Sequence, residues 1–371
     1  MRRKFLNLLP FVVLPALWMF YPEQTSWFID TADTEHYVDF RSNVGFRLIV
    51  VAIVKFFASL GFQPVYAALF FNSIGVIYLM LLIEIYWREF HMGEERKRWI
   101  VLAIVASSPL VILSKNVMST DLYAGIVLTH ALLILEKIRR QCREGGSPGL
   151  SHHVWAAFLI LLSLNLKSTA ALGFLAYILA FLIWERGRLV IHVKSIGKLF
   201  AAGFVFWLGE LMIYYLVYGD PWYRYLYEFA KSKGGNAPHE IAGTRQSIPV
   251  PLFLYHIYSH LKFIGRSGLP GVLVIPALWM FRRNFFALVY FFGLVIYSVI
   301  AIRGYLTMER YFAVFVPCQL ILFAEFYRRI QSGPHLRRFA IPMLVFGPFV
   351  SLLNYLFRYF PEMYQKAGDL F

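Results

Sequence analysis

Long apolar runs follow one another along almost the whole chain, with short polar segments between them. A helix that crosses the roughly 30 Å hydrocarbon core of a bilayer needs about 20 such residues. Only 15% of the 371 residues are charged and 59% are hydrophobic, whereas about a quarter of a soluble domain is charged. This composition excludes a water-soluble enzyme and a disordered chain. The sequence therefore predicts a protein that folds inside a membrane.

The apolar runs predict an all-α fold, a polytopic bundle of about eleven transmembrane helices that forms one membrane domain over residues 1–371. Some runs are short for a full crossing, which is compatible with tilted or partly re-entrant helices. The first run follows three basic residues but lacks a small-residue cleavage site, so we interpret it as a retained signal anchor. The candidate spans cover residues 5–22, 63–87, 99–113, 120–137, 153–166, 169–185, 196–218, 267–281, 285–302, 311–326 and 340–357.

The basic residues predict the orientation of this bundle. If the N-terminus is cytoplasmic, 21 of the 36 lysines and arginines fall on short cytoplasmic segments, as the positive-inside rule requires. The net charge of +15 therefore reflects topology, and no basic stripe of the kind that binds nucleic acid is present in the sequence. Cys142 and Cys318 fall in a cytoplasmic loop and inside a span, so no disulfide is expected.

Two long segments are predicted on the external face. Residues 23–62 begin with five carboxylates between positions 23 and 39 and continue into an apolar stretch, 46–60. Counting that stretch as a span would move several cytoplasmic arginines outside, so it is predicted to be an interfacial helix on the outer leaflet. Residues 219–266 mix aromatic and basic side chains around a glycine-containing turn, which predicts further interfacial helices.

The order of several short motifs on this external face resembles the GT-C superfamily of glycosyltransferases, in particular its protein O-mannosyltransferase and lipid A aminoarabinose transferase branch. Each motif is weak alone, but all fall on the same predicted face between about residues 5 and 326. This chain has Asp33-Thr34 where the family often has adjacent Asp and Glu. The motifs are Asp33-Thr-Glu-His-Tyr37, Pro109 with Ser114-Lys-Asn-Val-Met-Ser-Thr-Asp121, Leu166-Lys167-Ser168, Gly219-Asp220-Pro221, and Glu309-Arg310-Tyr311 followed by Pro317.

The resemblance implies an inner-membrane enzyme that takes a sugar from a polyprenyl-phosphate donor and transfers it, with inversion, to a hydroxyl of a lipid, glycan or protein. Asp33, or alternatively Asp30, would be the general base at the external face. The chemistry itself requires a base for the acceptor proton and cations for the departing phosphate. The predicted substrate-binding residues are Glu35, His36, Tyr37, Lys115, Asp121, Lys167, Lys262, Arg266, Arg303, Arg310 and Tyr311.

Simpler interpretations of these residues remain open. Asp33, Asp30 and Asp121 are also suited to capping helix N-termini. Lys167 and Arg310 are also typical of side chains that reach from a helix end toward lipid headgroups. Glu210 lies well inside its span and should face a partner or a cavity, which suggests a structural role.

No cofactor is predicted. His36 with Asp33 and Glu35 is the alternative divalent-cation site, but three adjacent residues on one turn seldom converge on an ion. The rival classes are a secondary transporter or lipid flippase, for which paired charges at mid-membrane and an internal repeat are expected, and a non-catalytic scaffold. The scaffold does not explain the acidic loop. The predicted partners are the lipid-linked donor, the acceptor and the bilayer.

Overall fold

A computed structural model provides the fold, and every regular element that it describes is helical. It describes residues 56–57, 59–62, 64–90, 98–108, 120–167, 169–226, 261, 264, 267–280, 284–302 and 313–353, and these ranges contain no strand. The all-α prediction is therefore confirmed for this part of the chain. The principal helices are α1 Pro64–Phe90, α2 Arg98–Ala106, α3 Thr120–Arg143, α4 Leu150–Leu166, α5 Ala170–Trp184, α6 Val193–Tyr218, α7 Gly268–Met280, α8 Phe285–Ile302, α9 Val316–Ser332 and α10, which is described over 340–353.

The helix limits follow from local chemistry. α6 ends where Gly219 adopts a left-handed conformation (φ 75°) and donates its N–H to the carbonyl of Tyr215 at 2.8 Å, a typical glycine C-cap. α8 begins after Asn284, whose side-chain oxygen accepts the N–H of Phe286 at 2.9 Å, as an N-cap does. α9 carries Pro317 in its first turn, where the missing N–H has no intrahelical partner to lose.

The packed centre of the fold consists of α3 and α9, which are buried along most of their length. Glycine allows the closest approaches between neighbouring helices. A Cβ at Gly125 on α3 would overlap the carbonyl of Val314, and one at Gly173 on α5 would overlap the side chain of Leu128. Small residues at such crossings let helices pack closely where van der Waals contact drives association.

The helices meet at two opposite ends. We call the end at which α3, α5 and α9 begin the upper end; there Gly125 lies against Val314. We call the end at which these three helices finish the lower end. At the lower end Tyr86 of α1 packs on Phe286 of α8, with ring centroids 5.8 Å apart. In the predicted topology the upper end is external.

α6 lies at the edge of the bundle and differs from α3 in its exposure. Phe200 is 74% exposed and Leu216 70%. Together with the 3₁₀ turn Leu189–His192 it forms the one helical segment, among the residues that the structure describes, that is long and apolar enough to cross a membrane by itself. α4 and α5 are also apolar but shorter, at 17 and 15 residues. The number of spans therefore stays a prediction.

The two segments that are predicted to be external are described in small part. In 23–62, residues 56–57 and 59 are helical and Gly61 turns the chain toward α1 with φ 85°. In 219–266, the structure describes 219–226 and two further residues, and residues 223–226 form one short helical turn. Cys142 and Cys318 are both buried and unbonded to each other, as expected.

Candidate functional site

The structure describes two of the predicted site residues. Asp121 lies in the first turn of α3, and Lys167 follows directly after α4; both positions are at the upper end. The remaining predicted residues lie outside the described ranges, and their roles stay predictions. These are Asp30, Asp33, Glu35, His36, Tyr37, Lys115, Lys262, Arg266, Arg303, Arg310 and Tyr311.

Lys167 is held in a tight turn between α4 and α5. Its backbone is extended (φ −160°, ψ 128°), and its N–H donates to the carbonyl of Ser163 at 3.0 Å. Its own carbonyl accepts the N–H of Ala170, also at 3.0 Å. These two hydrogen bonds fix the backbone of Lys167 at the upper end, and its side chain is half-buried.

A buried ion pair lies beside this turn. The guanidinium of Arg224 donates to the carboxylate of Glu210 on α6 and, at 2.6 Å, to the carbonyl of Leu164 on α4. The side chains of Glu210 and Arg224 are 5% and 9% exposed. Glu210 therefore has the partner that its position inside an apolar helix requires, and Arg224 joins the segment after α6 to the end of α4.

The second oxygen of Glu210, Oε2, is buried and has no hydrogen-bond partner among the described residues. A buried carboxylate oxygen is normally satisfied.

Aromatic side chains hold the segment after α6 in place. Tyr223 stacks on Tyr218, with ring centroids 4.0 Å apart and planes 4° apart. The hydroxyl of Tyr225 accepts the indole N–H of Trp207 at 2.8 Å. Since Trp207 lies three turns before the end of α6, residues 219–226 fold back along that helix.

A second polar contact joins α4 and α6 below Lys167. The hydroxyl of the fully buried Tyr214 donates to the side-chain oxygen of Asn165 at 3.2 Å. The amide nitrogen of Asn165 donates to the carbonyl of Leu161 at 3.0 Å. The upper end between α4 and α6 thus contains polar side chains that are preorganised by hydrogen bonds.

Arg224 belongs to the predicted external segment 219–266, and its pairing with Glu210 was not predicted from the sequence. The two residues are 14 positions apart, and Gly219 between them reverses the chain. A lone carboxylate inside an apolar run, followed by a glycine and then an arginine, is the signal that could have predicted this pair.

A larger buried network lies at the lower end. Arg139 donates to both oxygens of Glu136, at 2.6 and 2.8 Å, and to Glu185 after α5. His192 lies 3.3 Å from the other oxygen of Glu185. All four side chains are almost fully buried. From the sequence, Arg139 was expected only as one of the 21 basic residues on cytoplasmic segments, and this network was not predicted.

No group of three or more His, Cys, Asp or Glu residues with metal-binding geometry occurs in the part of the chain that the structure describes. The alternative cation site at Asp33, Glu35 and His36 lies outside that part. The absence of a cofactor stays a prediction.

Comparisons with known proteins add no family assignment. No family model matches the chain, and no characterised protein or solved structure matches it significantly.

Proposed function

We propose that this protein is an integral membrane glycosyltransferase with its active site at the upper, external end. It would move a sugar from a polyprenyl-phosphate donor to a hydroxyl of a lipid, glycan or protein acceptor. The proposal rests on the motif resemblance together with one structural observation. Asp121 lies at the start of α3 and Lys167 follows α4, while in the sequence Arg303 follows α8 and Arg310 precedes α9. These helices pack against one another in the bundle.

The exposure of α6 supports a membrane location. In the most apolar window of the segment Leu189–Tyr218, 11% of the residues are buried, whereas the core helix of a soluble protein is mostly buried. Exposed side chains along α6 include Phe204, Val205 and Met212, each more than half exposed. A soluble monomer rarely exposes a continuous apolar surface of this length.

The reaction would proceed as a single displacement. The acceptor oxygen attacks the anomeric carbon of the sugar while the bond from that carbon to the phosphate oxygen breaks. The acceptor proton passes to the carboxylate of Asp33, and the polyprenyl phosphate leaves with the bond's electron pair. Since the transition state has oxocarbenium character and the leaving group is anionic, a nearby cation such as Lys167 would stabilise it.

Within the part of the chain that the structure describes, the position of the buried ion pairs favours an enzyme over a transporter. A secondary transporter is expected to hold paired charges near mid-membrane. Here the Glu136–Arg139–Glu185 network lies at the lower ends of α3 and α5, and Arg224 comes from a segment beyond the upper end of α6. Neither ion pair is formed between the middle turns of two helices.

Transfer of a labelled sugar by the purified full-length protein tests the proposal. A labelled polyprenyl-phosphate sugar is supplied with membrane lipid acceptors, and the product is examined for a new glycosidic bond. Asp33→Asn should reduce the rate by about 10²–10⁴-fold, the contribution of a general base. Asp39→Asn, a nearby loop carboxylate, is the matched control and should keep the parental rate.

Two outcomes would contradict the proposal. Absence of any glycosidic product, with the protein folded, would favour a transporter or scaffold. Parental turnover by Asp33→Asn would eliminate Asp33 as the base, and Asp30→Asn and Asp121→Asn would then locate the acid that carries the role.

A further inference from the structure

A laterally open cleft lies between α5 and α6. Its volume is about 610 Å³, and α3 and α4 form its floor. α6 packs on α4, whereas α5 packs chiefly on α8. Because α5 and α6 do not pack on each other, the cleft between them stays open at the side. Exposed apolar residues form both rims of the opening: Ile178 and Leu182 on α5, Phe200 and Phe204 on α6. In a membrane this cleft opens to lipid.

The length of the cleft suits a hydrocarbon chain. It extends from Ser195 near the start of α6 to Trp207, which is about 18 Å at 1.5 Å per residue. That is somewhat more than half of a hydrocarbon core of about 30 Å. Its walls are almost wholly apolar, and its polar groups lie at the lower end, where His153 and Ser195 hydrogen-bond at 2.6 Å.

Positive charge marks the same lower end. The turn that joins the two walls carries Arg186 and Arg188, which are both exposed. Neither forms an ion pair with any residue that the structure describes. The next residues are apolar and exposed, with Val190 at 83%. Arginines beside exposed aliphatic residues are typical of a segment at the headgroup level of a membrane.

We propose that this cleft binds one anionic phospholipid of the leaflet at the lower, cytoplasmic end. One acyl chain lies in the cleft, and the phosphate contacts Arg186 and Arg188. Basic pockets between membrane helices on the cytoplasmic side are suited to such headgroups. The polyprenyl-phosphate donor is a different ligand, because its phosphate must reach the upper end for transfer. This inference rests on the membrane location in the proposed function and not on sugar transfer.

Two pairs of variants separate this site from its surroundings. Gly203 lines the cleft and Gly209 lies on the exposed side of α6; a Cβ on either would meet no atom within 4 Å. Gly203→Leu therefore fills the cleft, and Gly209→Leu is its matched control. Arg186→Gln with Arg188→Gln removes the headgroup charges. Arg337→Gln with Arg338→Gln, in the exposed 3₁₀ segment Arg337–Phe339 at the lower end, removes equal charge elsewhere.

Native mass spectrometry of the full-length protein in detergent, titrated with phosphatidylglycerol or phosphatidylcholine, measures the binding. The parent should retain one phosphatidylglycerol and prefer it to phosphatidylcholine. Loss of charge-assisted phosphate contacts should weaken phosphatidylglycerol binding by about tenfold or more in the Arg186/Arg188 variant. Gly203→Leu should also weaken it, and both control variants should stay within about twofold of the parent.

Cross-linking locates the bound chain even if one variant fails to fold. A phosphatidylglycerol with a photoreactive group near the end of its acyl chain should label residues in 174–182 or 203–207. Labelling confined to the opposite, exposed face of α6 would overturn the proposal. Three other results would also overturn it. One is equal binding by all four variants, and another is equal affinity for phosphatidylcholine. The third is displacement of the bound lipid by polyprenyl phosphate at a lower concentration than by phosphatidylglycerol.

The binding measurement contains neither donor nor acceptor. Specific phosphatidylglycerol binding without sugar transfer would refute the glycosyltransferase alone. Sugar transfer without specific phosphatidylglycerol binding would refute the lipid site alone.

Discussion

The guanidinium of Arg139 on α3 donates a hydrogen bond to the carboxylate of Glu185, which lies 46 residues later at the end of α5. The guanidinium also packs against the rings of Trp184 and Phe285, 5.7 and 5.2 Å from their centroids. Glu136, one turn earlier on α3, occupies its other N–H groups. One arginine thus joins α3, α5 and α8 at the lower end of the bundle.

Replacing Arg139 by methionine should strongly destabilise the protein. The substitution leaves Glu136 and Glu185 buried without their shared cation, and breaking a buried pair on one side costs about 3–5 kcal/mol. The thermal midpoint of the detergent-purified protein measures the effect. Arg140→Gln is the control, since Arg140 also contacts Glu136 but is 49% exposed; its effect should not exceed about 1 kcal/mol. Equal thermal midpoints for the two variants would show that the buried ion pairs of Arg139 add nothing to the stability of the protein beyond the contribution of an exposed arginine.

Glu210 and Arg224 should show strong coupling in a double-mutant cycle. Each single change, Glu210→Gln or Arg224→Gln, leaves one buried charge unpaired, whereas the double change leaves none. The double variant should therefore be less destabilised than the sum of the singles, with a coupling energy of about 0.5–3 kcal/mol. Chemical unfolding in mild detergent gives the four free energies. Strictly additive values would argue against the pair.

Lys167→Gln should weaken donor use more than it weakens folding. A charge-assisted contact to a phosphate contributes about 1.5–3 kcal/mol, or about tenfold to a hundredfold in affinity. The apparent affinity for the polyprenyl-phosphate donor is the measurement, and Arg310→Ala gives the corresponding test at the second predicted cation. Lys198→Gln, on the first turns of α6 at the lower end, should leave donor affinity unchanged. If both Lys167 and Arg310 variants retained parental affinity, the phosphate site would have to be sought at Lys115, Lys262, Arg266 or Arg303.

The two ends of the bundle should lie on opposite sides of the membrane. Cys142 and Cys318, which are both buried, are first replaced by alanine. Each variant then carries one introduced cysteine. Ser147→Cys, in the exposed turn between α3 and α4, should react with a membrane-impermeant maleimide from the cytoplasmic side. Thr34→Cys in the acidic loop should react from outside. Labelling of both from the same side would invalidate the predicted topology.

The Glu89–Lys137 ion pair should make a small, pH-dependent contribution to stability. The two side chains are 2.9 Å apart at the lower end, and the hydrogen bond and charge of Lys137 lower the pKa of Glu89. A lowered carboxyl pKa means that the stabilisation is complete above the ordinary pKa of about 4.3 and is lost as the pH falls through the lowered value. Glu89→Gln should therefore be less stable than the parent near neutral pH, by about 0.2–1 kcal/mol. The difference in thermal midpoint should disappear in acid, and a constant difference at all pH values would exclude this cause.

The sequence determined most limits of the helices that the structure describes, whereas the predicted run 5–22 lies outside the described residues. The predicted run 285–302 corresponds to α8, and 169–185 corresponds closely to α5. Helical hydrogen bonds are satisfied within a segment, and signals such as Gly219 and Asn284 lie within a residue of the ends that they cap. These features depend on neighbouring residues, which makes them readable from the chain.

The tertiary structure alone decided which polar side chains are buried together. Arg139 and Arg140 are adjacent in the sequence and equal in charge, yet one is buried between three helices and the other is half exposed. Which of them faces the interior depends on how α3 is rotated against α5 and α8, and that rotation is fixed by contacts such as Gly173 against Leu128. The partners of Glu185 and Glu210 are likewise distant in the chain. Their pairing follows from helix packing, because the charge pattern of one segment carries no information about the orientation of another.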